Sequence, residues 1–596
     1  EISLGLVGSE MCIRDSYGKA IGEEARYREK DVLLGPGVNI YRTPLNGRNF
    51  EYMGEDPYLA GVMCVPYIQE VQKNGVAVSV KHYALNNQEL WRGHIDVELS
   101  DRALHEIYLP AFKAAVQQGG AWTVMGAYNK IRGQHACHNE LMLNKILKDD
   151  WGFDGVVVTD WGGAHDTYEA AMNGLDIEMG SYTNGLTSES AFTYDDYYLA
   201  SPYLRMLKDG KVPVSTVDDK ASRILRLIFR TAMNRQKPYG SLTSEEHYKV
   251  AREIGNEGIV LLKNAPVLKK GTPLLPLDAA KYRRILVVGD NAVRLLNEGG
   301  GSSELKVKDM VSPLDGMRSL YGDKVAYTKG YAAGRPMYGR AEEIPQAVAD
   351  SLRTAATELA KDADLVILFG GLNKNHFQDC EAGDRLTYGL PFGQNELIES
   401  LLSVNKNLVL VLLSGNAVEM PWLNKVPAIV QGWYLGSMGG NSLADVLSGA
   451  VNPSGKLPFS FPVKLTDCGA HAFDELSYPG DSIKQVYKED ILVGYRWHDT
   501  KKTPALFPFG YGLSYTTFTY GKPVASAKTI AADGTLTVTI PVKNVGSVAG
   551  KEVVQLYIGD EKCSVLRPVK ELKAFRKIVL APGEEKEVSF IITPED

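Results

Sequence analysis

Hydrophobic positions in the first third of the chain repeat one unit, in which a short apolar run is followed by a polar cluster and an amphipathic segment. The runs VAVSV, WTVMG and VVVT are continuous rather than alternating, which is typical of strands buried on both faces. The helical segment PYLAGVMCVPYIQEVQKNG ends at Asn74-Gly75, a good stop signal. About five such units predict a TIM-like (β/α) barrel with its active site at the carboxyl ends of the strands. A doubly wound sheet is the alternative.

The pattern changes twice after residue 245. Apolar runs separated by helical stretches predict a second, mostly parallel α/β region, with strands at 285–290, 364–371, 408–415 and 428–434. Alternation with period two in GTLTVTIPVKN and EVVQLYIGD then predicts a small β-sandwich. The predicted boundaries are a barrel at 17–235, a linker at 236–250, an α/β domain at 251–515 and a sandwich at 516–596.

Composition excludes several classes of protein. The formal net charge of −7, from 65 basic and 72 acidic residues, disfavours a nucleic-acid-binding protein. No apolar run approaches the roughly 18 residues of a membrane span. The six cysteines lie far apart without a CxxC pair, so we expect neither a disulfide framework nor a metal site.

GGGSS at 299–303 follows a strand but lacks GxGxxG, which predicts a loop near a substrate rather than a nucleotide site.

Two strand ends in the first region carry residues suited to chemistry. Asp160 follows the run VVVT and precedes Trp161, so a carboxylate and an indole meet at the end of a buried strand. A helix cap and a catalytic acid are about equally good interpretations of Asp160, and Trp161 fits either the core or a platform for a sugar ring. Lys81 and His82 follow VAVSV and precede the polar stretch NNQE, which suits hydrogen bonding to hydroxyl groups. A buried structural histidine is the alternative for His82.

Two loops carry further charged candidates. In GRNFEYMGEDP, Glu55 and Asp56 are predicted to hold the entry of a helix by ion pairs, whereas Arg48 fits a structural or a functional role equally well. HFQDCEAGDRLTYGLP places Glu381 and Asp384 in a loop after the strand DLVILFGG. Taken alone, that cluster is more typical of surface ion pairs than of a site.

The combined order of motifs gives a more specific indication. The stretches VLLGPGVNIYRTPLNGRNFEYMGEDPYLAG, KHYALNNQE, VMGAYN, VVVTDWGG, NPSGKLPFSFP and LFPFGYGLSYTTF occur in sequence, with GYR between the last two. Together they resemble glycoside hydrolase family 3, over about residues 17 to 596. The resemblance implies a TIM-like barrel, an α/β sandwich and a fibronectin-III-like domain. It also implies an exo-acting retaining β-glycosidase that needs no cofactor and takes oligosaccharides or aryl and alkyl β-glucosides.

The resemblance also implies roles for particular residues. Asp160 matches the nucleophile and Glu381 the general acid/base, although Ala382 stands where the usual motif has glycine. Residues that match the binding site of the cleaved sugar, or the aromatic at its rim, are Arg48, Lys81, His82, Tyr128 and Trp161. Retention requires one ionised and one protonated carboxyl group. We expect Lys81 and His82 to keep Asp160 ionised, and that anion to raise the pKa of Glu381.

Other functions stay open at this point. A β-xylosidase or arabinosidase of the same family is one alternative, and a non-catalytic glycan-binding protein is another. The β-N-acetylglucosaminidases of the family carry a KHFPGHG-like motif, which this chain replaces by KHYALNNQE. We expect no nucleic-acid partner and no membrane span, and a periplasmic or secreted bacterial location rather than a cytoplasmic one.

The ends of the chain give a further expectation. Residues 1–16, EISLGLVGSEMCIRDS, do not fit the family-like sequence that starts at Tyr17, and we interpret them as a non-native segment. No Asp-Gly-Pro motif occurs upstream of that point, and the sequence stops at FIITPED. We therefore expect an N-terminally incomplete barrel and an incomplete sandwich, with poor expression or weak sugar binding.

Overall fold

The computed structural model describes residues 11–180, 197–267, 271–337 and 339–594. Residues 1–10 of the segment interpreted as non-native lie outside this range, and residues 11–16 begin the helix Met11–Tyr27. Part of the predicted stretch between the barrel and the linker, residues 181–196, also lies outside it. None of the described helices is long and apolar enough to cross a membrane.

The first region is built on a four-stranded parallel sheet whose strands neighbour one another in chain order: Val32–Leu33, Ala77–Tyr83, Thr123–Gly126 and Val156–Thr159. A parallel bridge between Val158 and Ile177 continues the order. A doubly wound sheet would reverse its order at a switch point, whereas a barrel adds each strand beside the last. The observed order therefore has the barrel topology that the repeat predicts.

Helices cover this sheet between the strands. They are Met11–Tyr27, Pro57–Lys73, Asp101–Ala103 continued by Leu104–Tyr108, Pro110–Gln117, Leu141–Asp150, Thr167–Met172, Ser201–Lys208 and Ser215–Arg230. The predicted end of the second helix is confirmed. Asn74 ends the second helix, and the Ser100 hydroxyl caps the third by accepting the Ala103 N–H.

The second region contains a six-stranded sheet. Its spatial order is Val325–Thr328, Ile285–Val288, Leu365–Gly371, Leu408–Leu413, Ala428–Gln431 and Val260–Asn264, with only the last pairing antiparallel. The predicted mostly parallel sheet is thus confirmed, although the two edge strands were not predicted. The order reverses at Ile285–Val288, so this sheet is doubly wound. Its helices are Glu245–Gly258, Pro313–Tyr321, Gln346–Ala360, Gln394–Val404, Gly439–Ser448 and Tyr495–Lys501.

The last region is the predicted antiparallel β structure. Its longer strands are Leu536–Asn544, Gly550–Ile558, Glu571–Leu580 and Glu585–Ile592, and they pair first with fourth and second with third. Two short strands, Phe518–Tyr520 and Val524–Ala525, join the first of them. A small core of Val542, Val554, Leu580, Val588 and Phe590 lies within this region.

The second region also contacts the barrel closely. The strand Lys484–Val486 pairs in parallel with Asp96–Glu98, which belongs to a barrel loop. Asp56 caps the helix Pro57–Lys73 and forms a 2.8 Å ion pair with Arg496. Glu55 accepts the N–H of Ser460 at 2.8 Å. The predicted ion pair at the helix entry is therefore confirmed for Asp56, whereas Glu55 has a structural role through hydrogen bonds rather than through an ion pair.

Candidate active site

Asp160 lies at the carboxyl end of the barrel strand Val156–Thr159, as the sequence predicts. Its backbone N–H donates to Gly126 O of the neighbouring strand at 3.3 Å. The side chain is buried; Oδ1 accepts the Trp161 N–H at 3.0 Å, and Oδ2 lies 3.5 Å from His82 Nε2. The barrel backbone thus fixes this carboxylate with one oxygen toward a neighbouring imidazole.

Lys81 and His82 belong to the strand Ala77–Tyr83 itself rather than to the loop after it. Lys81 Nζ lies 3.3 Å from Glu51 Oε2 and forms an ion pair with that glutamate. His82 Nδ1 lies 3.2 Å from the Tyr52 hydroxyl. Burial lowers the pKa of His82 far below its ordinary value, and Arg48 and Lys81 lower it further. His82 is therefore neutral beside the carboxylate.

Glu381 reaches the same place from the second region. Its loop follows the strand Leu365–Gly371, and its Oε2 accepts the Ser302 N–H at 2.6 Å. Ser302 belongs to the GGGSS loop, whose Gly301 has φ +111° and faces Glu381 so closely that an added Cβ would clash with it. The interpretation of this loop as one near a substrate, rather than a nucleotide loop, thus agrees with its position.

Two guanidinium groups from the barrel hold the other oxygen of Glu381. Arg92 donates to Oε1 at 2.9 Å, and Arg48 NH1 lies 3.6 Å from the same atom. Arg48 is fully buried and is itself paired with Glu51. Arg92 is paired with Glu89 at 2.6 Å. Glu381 is therefore not part of a surface ion-pair cluster but of a buried one that spans two regions.

Arg92, Glu89 and Ser302 were not predicted as members of the site. The signal for Glu89 was present, because it ends the polar stretch NNQE that follows the strand carrying His82. Arg92 lies only three residues further along, where its side chain also covers the Tyr128 ring with 4.7 Å between guanidinium carbon and ring centroid. A long side chain in a loop shows no periodicity, so only the fold brings it into the site.

The expected rise in the pKa of Glu381 is wrong for the free protein. Burial raises the pKa of Asp160, Arg48 and Arg92 oppose that rise, and Glu381 adds to it. Burial would also raise the pKa of Glu381, but Arg48 and Arg92 lower it to about 2. The expectation failed because the cations lie against Glu381, while Lys81 pairs with Glu51 and His82 is neutral.

The remaining predicted residues surround this pair of acids. Burial raises the pKa of Tyr128, and the neighbouring Asp160 charge raises it further, so the phenol stays protonated. Trp161 is 42% exposed, as suits an aromatic at the rim of a site rather than in a core. No group of three or more potential metal ligands occurs among the residues that the structure describes. The arrangement offers two carboxyl groups, two guanidinium groups and an exposed indole, which suits a ligand rich in hydroxyl groups.

Family models match most of the chain. Residues 3–227 match the glycosyl hydrolase family 3 N-terminal domain, residues 259–515 match the C-terminal domain of that family, and residues 552–596 match a fibronectin type III-like domain. Each matched range falls on one of the three regions described above.

Comparisons with individual proteins indicate the same family. The chain is 73% identical to beta-glucosidase BoGH3A of Bacteroides ovatus, over 97% of this chain and 77% of that protein. It is 38% identical to an exo-alpha-(1->6)-L-arabinopyranosidase of Bifidobacterium longum, over 96% of this chain and 71% of that protein. The crystal structure of DesR, a beta-glucosidase from Streptomyces venezuelae in complex with D-glucose, superposes with a TM-score of 0.89 at 29% identity, covering 99% of this chain and 86% of that one. The chain belongs to glycoside hydrolase family 3.

Proposed function

We propose that this chain is a retaining, exo-acting β-glucosidase, with Asp160 as the nucleophile and Glu381 as the general acid/base. The observation that carries the proposal is the convergence of two carboxyl groups from different regions on the same pair of guanidinium groups. Arg48 and Arg92 act on the pKa of both acids, and Glu381 acts on that of Asp160. Retaining glycosidases separate their two carboxyl groups by about 5–5.5 Å, which is close enough for such mutual effects.

The reaction assigns a separate task to each acid. A carboxylate oxygen of Asp160 attacks the anomeric carbon while the bond from that carbon to the leaving oxygen breaks, and Glu381 gives its proton to that oxygen. In the second half, Glu381 takes a proton from water as the water attacks the same carbon, and the ester to Asp160 breaks. The sugar leaves with its original β configuration, and Glu381 is protonated again.

Substrate binding supplies the ionisation that the free protein lacks. Sugar hydroxyls are good acceptors for Arg48, and an aglycone over Glu381 excludes water from it. Each change raises the pKa of Glu381, because the ion pair with Arg48 weakens and the carboxylate becomes more buried. Arg48, Lys81, His82 and Tyr128 bind the terminal sugar in this scheme, and Trp161 borders the entrance.

Covalent labelling tests the assignment of the nucleophile. A 2-fluoro-β-glucoside with an activated leaving group slows both halves of the reaction, so the glycosyl-enzyme accumulates. We expect mass spectrometry of a digest to find the fluoroglucosyl group on Asp160. Label on another side chain contradicts the assignment, and binding of the sugar without any turnover favours the glycan-binding alternative.

A substrate panel tests the sugar specificity. The relative from Bifidobacterium longum is named for an L-arabinopyranosyl bond, so nitrophenyl β-D-glucoside, β-D-xyloside and α-L-arabinopyranoside form the relevant comparison. We expect the highest kcat/KM with the glucoside. A higher value with either pentoside would replace β-glucosidase by a xylosidase or arabinopyranosidase without changing the roles of the two acids.

A further inference from the structure

Asp384 is a second acid of the EAGDR loop, and its carboxylate is bound mainly by backbone N–H groups of the barrel. It is buried and belongs to the second region, but three of its hydrogen bonds come from barrel backbone. Its Oδ1 accepts the N–H groups of Gly47 at 3.0 Å and Glu89 at 2.9 Å, and its Oδ2 accepts that of Leu90 at 3.0 Å. One carboxylate therefore fastens two separate barrel loops to the loop that carries Glu381.

Those two barrel loops carry the cations that hold Glu381. Gly47 directly precedes Arg48, and Leu90 lies two residues before Arg92. A hydrogen bond in the opposite direction completes the connection, because Glu89 Oε2 accepts the Ala382 N–H at 2.7 Å. The distance from Glu381 to both guanidinium groups is thus set by contacts made one to three residues away from it.

The spacing between the loops allows little adjustment. A Cβ added to Gly47 would clash with the backbone carbonyl oxygens of Gly383 and Cys380. The backbone of the barrel loop at Gly47 therefore packs directly against the backbone of the Glu381 loop, with no side chain between them at this point. Any shift of one loop displaces the other.

A carboxylate is chemically suited to this position. No cation forms an ion pair with Asp384 within the described ranges, and its partners besides the three N–H groups include the Tyr478 hydroxyl at 3.2 Å. Burying such a charge without a cation is costly for stability, which argues that its role is not simply to stabilise the fold. An ionised carboxyl group only accepts hydrogen bonds, whereas an amide would direct one NH2 group at a backbone N–H.

We propose that Asp384 is a positioning residue for the acid/base: it fixes the barrel loops of Arg48 and Arg92 against the loop of Glu381. This inference rests on the proposed function, since it assumes that Glu381 transfers the proton. Proton transfer depends on geometry, and displacements of about 1 Å can cost about 10²-fold in rate. A displaced Glu381 should therefore fail first where the leaving group most needs a proton.

The test compares Asp384→Asn with the parent protein on two aryl β-glucosides, one with a poor leaving group and one with dinitrophenolate. We expect kcat/KM to fall about 10²-fold on the poor leaving group and less than about threefold on the activated one. Glu381→Ala is measured in parallel. If Glu381→Ala shows no such dependence on the leaving group, the proposed function fails; if it does and Asp384→Asn does not, only the positioning role fails.

Two further variants separate positioning from loss of stability. Asp445 is another buried carboxylate, paired with Arg252 at 2.6 Å between two helices of the second region. Asp445→Asn should lower the melting temperature and leave the ratio of the two kcat/KM values unchanged. Gly47→Ala separates the loops sterically while keeping the Asp384 carboxylate, and we expect it to change the ratio in the same direction as Asp384→Asn. An unchanged ratio in Gly47→Ala, or an equal loss on both substrates in Asp384→Asn, would overturn the proposal.

Discussion

Asp160 and Glu381 lie in one site but are held in different ways. Asp160 is fixed by its own strand and by the two barrel strands that carry Gly126 and His82. Glu381 is held by groups from the barrel and from a loop of its own region, including Arg92 at 2.9 Å and Ser302 at 2.6 Å. The placement of one acid is thus local to the barrel, and that of the other depends on the contact between regions.

The pKa values of the two acids also shift in opposite directions. Burial is the largest single influence on both acids; it raises the pKa of Asp160, but at Glu381 the charges of Arg48 and Arg92 and the hydrogen bonds from Ser302 together outweigh it and lower the pKa to about 2. The free protein therefore favours the proton on the group proposed to be the nucleophile. The proposed chemistry needs the proton on Glu381 instead, so under that proposal substrate binding reverses the order and the cations around Glu381 take part in the mechanism.

Replacing Asp160 should have the largest effect on turnover. Asp160→Asn removes the attacking oxygen, so turnover should fall by about 10⁴-fold or more on every substrate, whatever its leaving group. Steady-state kinetics with both classes of aryl glucoside measure this. Asp166→Asn is the matched control, because Asp166 caps the next helix by accepting the Glu169 N–H at 2.8 Å. A variant at Asp160 that keeps activity on activated glucosides would contradict the assignment.

Replacing the second acid should have a smaller and selective effect. Glu381→Ala should lower kcat/KM by about 10²- to 10⁴-fold for poor leaving groups and much less for dinitrophenolate, which leaves without a proton. Azide, a nucleophile that needs no general base, should restore turnover and give β-glucosyl azide. Equal losses on both substrate classes, with no azide product, would instead assign a binding role to Glu381.

The cation at 2.9 Å from Glu381 gives the next prediction. Arg92→Leu removes a positive charge beside a carboxyl group, so the pKa of Glu381 in the free protein should rise by about one unit or more. Because Glu381 has the lower of the two pKa values in the free protein, it sets the acid limb of kcat/KM, and that limb should move to higher pH by the same amount. Arg92→Lys keeps the charge and should move the limb less. A limb that stays in place in Arg92→Leu would contradict the electrostatic account.

The sequence alone predicted the barrel part of the site better than the part from the second region. The position of Asp160 follows from a continuous apolar run that ends in an acid, which is a pattern within one segment. The apolar run VAVSV likewise predicted the strand that carries Lys81, and the position of Asp56 directly before a helix predicted its role at the helix entry, since both patterns lie within one segment. The roles of Asp160 and Glu381 came from the family resemblance and stay predictions.

The contacts between regions had no local signal. Arg92 and Ser302 meet at Glu381 from positions more than two hundred residues apart, and Asp384 joins the same assembly through backbone N–H groups. Neither hydrophobic periodicity nor residue type encodes which loops will touch. The expected pKa order failed for this reason, because it placed Lys81 and His82 as cations beside Asp160 and missed the contacts that bring Arg48 and Arg92 to Glu381.

The smallest predicted effect concerns the exposed ring beside Asp160. Trp161 contacts Asp160 through its backbone N–H, which any residue except proline supplies, while its indole is 42% exposed at the rim. Trp161→Ala should therefore leave the nucleophile in place and weaken sugar stacking by about 0.5–1.5 kcal/mol, which raises KM about two- to tenfold. Trp161→Phe keeps a ring and should recover most of that loss. If Trp161→Ala lowers kcat instead, with KM unchanged, the indole acts on Asp160 itself. The position of Asp160 would then depend on the Trp161 side chain as well as on the barrel strands and backbone.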